Sequence, residues 1–550
     1  MPTLAGSNVL FAHHEAREHA RTTASVLDPL KQGYFLLFMA GTFIGSLGAR
    51  MHEIAAVWLM TELTTSPFMI SLVTTAFSLP GFLLALPAGA IGDMFDRRRL
   101  LLFSQSMMAT TIAVLALLVL KGRAGPGILL TETALCGLFA TIATTTTDAI
   151  VPQIVKRREF SAAIALTGVR YHLSRALGPL LGGALVTAAS LGHAFLVCAI
   201  TPFAILLFLW VWHHSDRSAD LPPEHLGAAL RTGLRYVRYT PELTAVLVRL
   251  IAFVGVGSAM WALLPAYVRH HLGLDAFHYG MLFGVFGFGG VFGTTFAFRL
   301  NRTSSGESVM TAATVVFAVT LLLIAGMRSV PALAATLFLG GVGWSAGLVG
   351  LKTAIQVAAP DWVRARISAI HLLVLHGAVA VGSASWGALA WHLKTPTAMR
   401  YAGITMIATL VLAFRYRLAA VDAVNDEEHP APRIPPLEIP AAAAQESAPL
   451  MISLEYRVDP NRAREFEDLM QEIGSIRRRV GATFWGLFSD LSVPGKYAEH
   501  FVVQCALDAR SMHDRMTDPE REKMSLAQSF HTSGLRPQMR HQWMVCDTRD

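Results

Sequence analysis

A small set of charged or titratable side chains stands inside strongly apolar stretches of the chain: Glu53, Glu132, Asp148, Arg170, Arg175, Arg249, Lys352, His371 and His376. Placing one such group in hydrocarbon costs on the order of 3 kcal/mol on insertion scales, so each is a candidate for function. The chemistry they offer is proton handling. Glu53 or Asp148 set against Arg175 makes a proton-coupled switch: protonating the acid frees the arginine and shifts a two-state equilibrium. For Glu132 and Arg249 two readings stand equal: candidates of this kind, or residues near the ends of their stretches that reach toward the interface. His371 and His376 are spaced i, i+5, a poor fit to one metal site, and read as polar interior residues. No metal-ligand set, nucleophile arrangement or cofactor-binding loop is found, so no catalytic residue, metal or cofactor is expected.

Two motifs join them. Gly89-Ala90-Ile91-Gly92-Asp93-Met94-Phe95-Asp96-Arg97-Arg98-Arg99 follows the second apolar run. An acid at a helix end facing an arginine cluster is a charge latch, with Gly89, Asp93, Arg97 and Arg98 as its parts. Arg175-Ala176-Leu177-Gly178-Pro179-Leu180-Leu181-Gly182-Gly183 lies in the fifth run. Pro179 removes a helix hydrogen bond and bends the helix. Gly178, Gly182 and Gly183 allow a neighbouring helix close approach.

The elements that must position these residues follow from composition. Of 550 residues, 53% are hydrophobic and 15% charged, against about a quarter charged in soluble domains. Mean hydropathy is +0.47. Helices are the structures such runs can form in lipid. Twelve spans are expected, near 34–61, 67–91, 100–120, 127–149, 162–189, 193–212, 243–268, 277–299, 307–326, 331–358, 367–392 and 398–416. The formal charge of +7 does not imply nucleic acid, because the basic residues sit beside apolar runs. Loops holding Arg97, Arg98, Arg99, Lys156, Arg157, Arg158, Arg231, Arg235, Arg238, Arg302, Arg364 and Arg366 are expected on the cytoplasmic side, with both termini.

The expected organisation is a cytoplasmic tail (1–32), a six-helix bundle (33–212), a cytoplasmic connector (213–242), a second six-helix bundle (243–417), a linker (418–450) and a soluble module (451–550). Ser161-Ala162-Ala163-Ile164 and Gly183-Ala184-Leu185-Val186 echo Ile367-Ser368-Ala369-Ile370 and Gly387-Ala388-Leu389-Ala390, which points to a duplicated unit. Alternation and charge patterning after Met451 give the order βαββαβ, a ferredoxin-like α+β sandwich. All four cysteines read as free thiols. His13, His14 and His19 read as part of a solvated tail.

The loop after the second run resembles the signature loop of the major facilitator superfamily. Its usual arginine after the acid is Met94 here, and its usual glycine near the turn is Asp96. The Arg175–Gly183 segment is similar to the fifth-helix motif of exporters in that superfamily, often proton antiporters. Trp58-Leu59, Ala149-Ile150-Val151-Pro152 and Ala358-Ala359-Pro360-Asp361-Trp362-Val363-Arg364 resemble the transmembrane secretion effector branch, related to the enterobactin exporter. Tyr456-Arg457-Val458-Asp459-Pro460, Trp485-Gly486-Leu487-Phe488 and His513-Asp514-Arg515-Met516-Thr517 are similar to an antibiotic-biosynthesis-monooxygenase-like module.

The resemblance implies an all-α membrane protein of two six-helix pseudo-repeats in a bacterial inner membrane. It would export a small lipophilic or siderophore-like molecule by proton antiport, without being an enzyme. The expected partners are that substrate and the bilayer, with dimerisation through the C-terminal module. The alternatives are a membrane-anchored monooxygenase-like enzyme or sensor, with Trp485 and His513 lining its pocket, or an importer.

Overall fold

The computed structural model describes residues 27–84, 96–156, 159–212, 233–300, 305–418, 449–504, 515–532 and 537–543, with Ala509 and Met512. Gly89, Asp93, His13, His14, His19, Cys505, His513 and Cys546 lie outside the described residues, as does most of the expected connector.

The first half contains α1 (Gly33–Leu63), α2 (Pro67–Leu84), α3 (Arg97–Leu120), α4 (Pro126–Ile154), α5 (Phe160–Ala189) and α6 (Leu191–Val211). The second contains α7 (Pro241–His271), α8 (Ala276–Leu300), α9 (Gly306–Ile324), α10 (Val330–Ala358), α11 (Asp361–Leu393) and α12 (Thr395–Arg415). Among the described residues, 11 helices are long and apolar enough to cross a membrane. The expected twelfth, α5, is a 30-residue helix packed among them. Its interior carries Arg170 and Arg175, and it is not among the 11.

The two halves repeat a feature of the backbone. Ser190, between α5 and α6, and Lys394, between α11 and α12, have φ of 77° and 68°. Left-handed backbone is uncommon without glycine. Gly183 stands before Ser190 as Gly387 stands before Lys394. Both glycines face the other half: Gly183 meets the backbone of α8 at Ala276 and Gly280, and Gly387 meets Ser71 and Phe68 of α2. The halves therefore join along two seams, α5 with α8 and α2 with α11.

After the described membrane segment ends at Leu418, a small unit begins with β1 (Leu450–Arg457) and α13 (Ala463–Val480). It continues through β2 (Phe484–Ser489), β3 (Lys496–Val503), α14 (Asp518–Ser529) and β4 (Gln538–Trp543). The strands form an antiparallel sheet in the order β2-β3-β1-β4. The last strand starts three residues earlier than its expected start at His541. Alternate positions Ile452, Leu454, Tyr456, Phe501 and Val503 pack on Phe466, Met470 and Ile473 of α13; the two-residue period of a strand puts them on one face.

Within that core sits an ionic node. Glu499 is 0% exposed and accepts from Arg477 Nε at 3.0 Å, Trp485 Nε1 at 3.0 Å and Tyr456 Oη at 3.3 Å. Burial, and then the Glu499 carboxylate, push the Tyr456 phenol well above its ordinary range. Removing one partner of a buried pair strands the other, which costs about 3–5 kcal/mol. Glu499→Leu in the full chain is expected to lose that much local stability. Amide hydrogen exchange across 450–503 should speed up accordingly, while exchange in α1–α12 stays unchanged.

Candidate functional site

Residues 233–238 form a helical turn before α7, and the loop before α11 ends at Pro360. Both belong to one end of the bundle, with the α3 start, the α4 end and the α5 start. The opposite end carries the short turns 64–66, 121–125, 272–275 and the positive-φ residues. There the helices close on each other. Trp58 of α1 stacks on Tyr279 of α8 at 6.0 Å, and Arg269 of α7 lies 5.2 Å over the Trp58 ring.

The fifth-helix motif explains the seam between the halves. Gly178 and Gly182 turn toward α1, where a Cβ on Gly182 would stand 2.9 Å from Met51 Cα. Gly183 turns the other way, into α8, and Gly280 of α8 receives the Pro179 carbonyl. Small residues on both sides of one helix let it touch both neighbours at backbone distance. Farther along, His172 Nε2 lies 3.4 Å from Thr294 Oγ1 of α8.

Inside the first half is a cavity of about 190 Å³ whose walls include Thr42, Ser46, Arg50, Asp148, Arg170 and Arg175. Arg170 donates to Ser46 Oγ at 2.7 Å and to the Thr42 carbonyl at 3.3 Å. Its buried Nε has no partner among the described residues. Asp148 is exposed to the cavity and makes no hydrogen bond among the described residues. It lies within electrostatic reach of Arg170 in its own half and of Lys352 on α10. Lys352 in turn is within reach of His371 on α11. This set spans both halves.

Arg175 has other partners than the acids proposed for it. It donates to Tyr171 Oη at 3.1 Å and lies 5.9 Å over the Trp261 ring of α7. Glu53 accepts from Arg50 at 2.5 Å, with Arg175 within electrostatic reach. The roles of Arg50 and Tyr171 were not read from the sequence, although Arg50 with Glu53 and Tyr171 with Arg175 have the i, i+3 and i, i+4 spacings of helix-surface pairs. Trp261 is on another helix and no spacing points to it. His376 packs against Gly81 of α2 rather than beside His371.

The structure decides between the two readings of Glu132 and Arg249. Glu132 and Arg249 do not extend toward an interface: they are 6% and 3% exposed. Glu132 meets His52 at 3.0 Å and Arg249 meets Glu307 at 2.9 Å. A buried polar or charged group needs a partner, so Arg249 meets a carboxylate and Glu132 an imidazole inside the bundle. His52 was missed because a lone histidine in an apolar run carries no pairing signal. Of the latch, Arg97 donates to the Ala149 carbonyl at 3.0 Å near the end of α4, and Asp96 caps α3 by accepting from the Arg99 amide at 2.7 Å. Asp96, which replaces the usual glycine, thus starts a helix.

The soluble unit meets the second half. The Arg515 guanidinium lies 5.1 Å from the Trp362 ring centre, Arg479 5.8 Å from Tyr236 and Arg478 5.9 Å from Tyr239. Tyr236 and Trp362 touch edge to face at 5.4 Å.

A family model described as transmembrane secretion effector matches residues 24–549. The chain belongs to that family of major facilitator superfamily transporters. It is 25% identical over 376 residues to the multidrug efflux pump Tap of Mycolicibacterium fortuitum, covering 66% of this chain and 90% of Tap. It is 23% identical over 380 residues to the enterobactin exporter EntS of Shigella boydii, covering 67% of this chain and 89% of EntS. Against two other curated transporters the chain spans little more than half of their length, 55% and 57%. A solved bacterial homologue of the iron transporter ferroportin, in an inward-facing state, superposes with a TM-score of 0.55 at 16% identity. That match covers 69% of this chain and 96% of the other, and it shows the shared fold.

The seam yields a prediction. Gly183→Leu must push α5 off α8 and is expected to destabilise the protein by about 1–3 kcal/mol. Gly168→Leu on the same helix, where a Cβ meets nothing within 4 Å, should leave the thermal midpoint of the detergent-purified protein unchanged.

Proposed function

We propose that this family member is a secondary active transporter that exports a small lipophilic or siderophore-like molecule by proton antiport. The observation that carries the reading is Asp148, exposed to the cavity of the first half beside Arg170 and within electrostatic reach of Lys352 of the other half. Ionised, the carboxylate attracts Arg170 within its own half and Lys352 across the divide, and the second attraction draws the halves together. Protonated, it releases them, and the balance between two arrangements of the halves shifts by the energy of that attraction. A tenfold shift requires about 1.4 kcal/mol of difference between states. Glu53, held by Arg50 beside Arg175 and Tyr171, is the second acid available for coupling.

In this reading α5 crosses the membrane as the twelfth span, and the arginine-rich end faces the cytoplasm with both termini. The end closed by the seams then faces outward, and Gly89, Asp93, Arg97 and Arg98 form a latch at the inner face. The printed names of the relatives, an efflux pump and an enterobactin exporter, support export over uptake.

The βαββαβ succession and the sheet order support a ferredoxin-like reading of the soluble unit. Trp485, which the enzymatic alternative would set in a pocket, is held in the core by Glu499, which favours a regulatory role over a monooxygenase-like one. The unit sits on Tyr236, Tyr239 and Trp362, beside the inner mouth. Its open sheet face, with Phe484 and Phe488 half exposed, is the surface available for dimerisation.

Efflux of hydrophobic dyes and catechol-type siderophores from energised cells tests the main reading. Export should stop with a protonophore and fall at least about tenfold in Asp148→Asn, a loss of about 1.4 kcal/mol of coupling. Export that ignores both treatments, or cargo that accumulates in the cells, would overturn it. For the soluble unit, Trp362→Ala is expected to change the rate of export without abolishing it. An unchanged rate in that variant would remove the regulatory role.

A further inference from the structure

Away from the central cavity, the first half buries a second constellation. His52 on α1, Glu132 and Cys136 on α4 and Cys198 on α6 are 3%, 6%, 2% and 1% exposed. His52 Nε2 lies 3.0 Å from Glu132 Oε1, and Cys136 Sγ lies 3.0 Å from the same oxygen. The three ligand atoms fall within 4.8 Å of one another. Glu132 and Cys136 are spaced i, i+4, so one face of α4 presents both toward α1.

Hydrogen bonding alone leaves this cluster incomplete. Histidine and cysteine converge on one carboxylate oxygen, while Glu132 Oε2 is buried with no partner among the described residues. An unmatched carboxylate oxygen in an apolar bundle is costly. A divalent ion would remove that cost: a thiolate and a carboxylate balance its two charges and leave the site neutral. The donor types select the ion. One imidazole nitrogen, one carboxylate oxygen and one sulfur suit borderline-soft, tetrahedral ions of the zinc(II) type, whereas magnesium and calcium take oxygen alone. Ligand atoms about 2.0–2.3 Å from such an ion stand roughly 3.5 Å apart at tetrahedral angles, between the two 3.0 Å contacts to Glu132 and the 4.8 Å that bounds all three atoms here. Glu132 Oε2, on the same carboxylate, is placed to supply the fourth ligand.

We propose that the first six-helix half holds one zinc(II)-type ion on His52, Glu132 and Cys136, tying α1 to α4. The imidazole binds as the neutral base and the carboxylate as the anion. The Cys136 S–H bond breaks as the sulfur–metal bond forms, and its proton leaves to water, with no change of oxidation state. Closed by protein on all sides, the site is structural: it stiffens the half that must move as one body. This inference does not depend on the cargo or on proton coupling.

The test uses the full chain, without an affinity tag of histidines and with His13, His14 and His19 replaced by alanine, so that the amino-terminal histidines cannot bind metal. Detergent-purified protein should carry a single equivalent of metal by elemental analysis. After chelation and reloading with cobalt(II), it should show an intense near-ultraviolet thiolate-to-metal band. Cys136→Ser and His52→Ala should lose the equivalent, the first should lose the band, and added metal should raise the thermal midpoint of the parent chain alone. If a variant elutes as aggregate, the cobalt spectrum of the parent chain decides, since the band requires a sulfur ligand. No stoichiometric metal in the parent chain, or equal metal in the parent and both variants, overturns the proposal. Such a result leaves intact the proton-coupling reading, which rests on Asp148.

Discussion

A charge inside an apolar bundle must have a counter-charge or a wet cavity, and that constraint orders most of this molecule. Arg249 is matched by Glu307, whose other carboxylate oxygen accepts from the Leu418 amide at 2.9 Å. One ion pair thereby ties α7, the start of α9 and the end of the membrane segment together. Arg50 and Glu53 match each other along α1. Asp148, Arg170 and Arg175 have no such tight pairing and line the cavity. The charges thus sort into two classes: those paired tightly within the bundle and those that line the cavity without a tight counter-ion. The second class is where an ionisable group inside a membrane bundle is a candidate for function.

The second ordering feature is the near absence of side chains between the halves along α5 and α8. Gly183, Gly280 and Gly287 put backbone against backbone. Such a seam has little interdigitation to undo, the kind of contact on which the proposed rocking of the halves would cost little. The same helix packs as closely on α1 through Gly178 and Gly182. One short motif therefore builds a joint within a half and a joint between halves, because glycines on different faces of a helix meet different neighbours.

Much of this was legible in the sequence. The apolar runs fixed where the helices lie, and Gly178, Pro179, Gly182 and Gly183 announced close packing before any partner was known. The succession of strands and helices in the soluble unit followed from alternation and turn residues. What could not be read was pairing across helices. His52 and Glu132 are far apart in the chain, as are Arg249 and Glu307, and hydropathy carries no information about which face of one helix meets which face of another. Arg175 shows the limit: its type and place marked it as important, yet its contacts with Tyr171 and Trp261 depend on packing that only the assembled bundle supplies.

The soluble unit rests on residues of one half only: Tyr236 and Tyr239 before α7, and Trp362 at the start of α11. The membrane segment to which it is joined, ending at Leu418, is pinned to that same half through Glu307. Seat and tether thus belong to the same half. Were the halves to tilt as proposed for export, the unit would be carried as an outrigger, and a small rotation at the seam would become a larger sweep at its far edge, in proportion to its distance from the axis. A domain mounted this way would then act as a pointer, making the state of the membrane core visible outside the membrane.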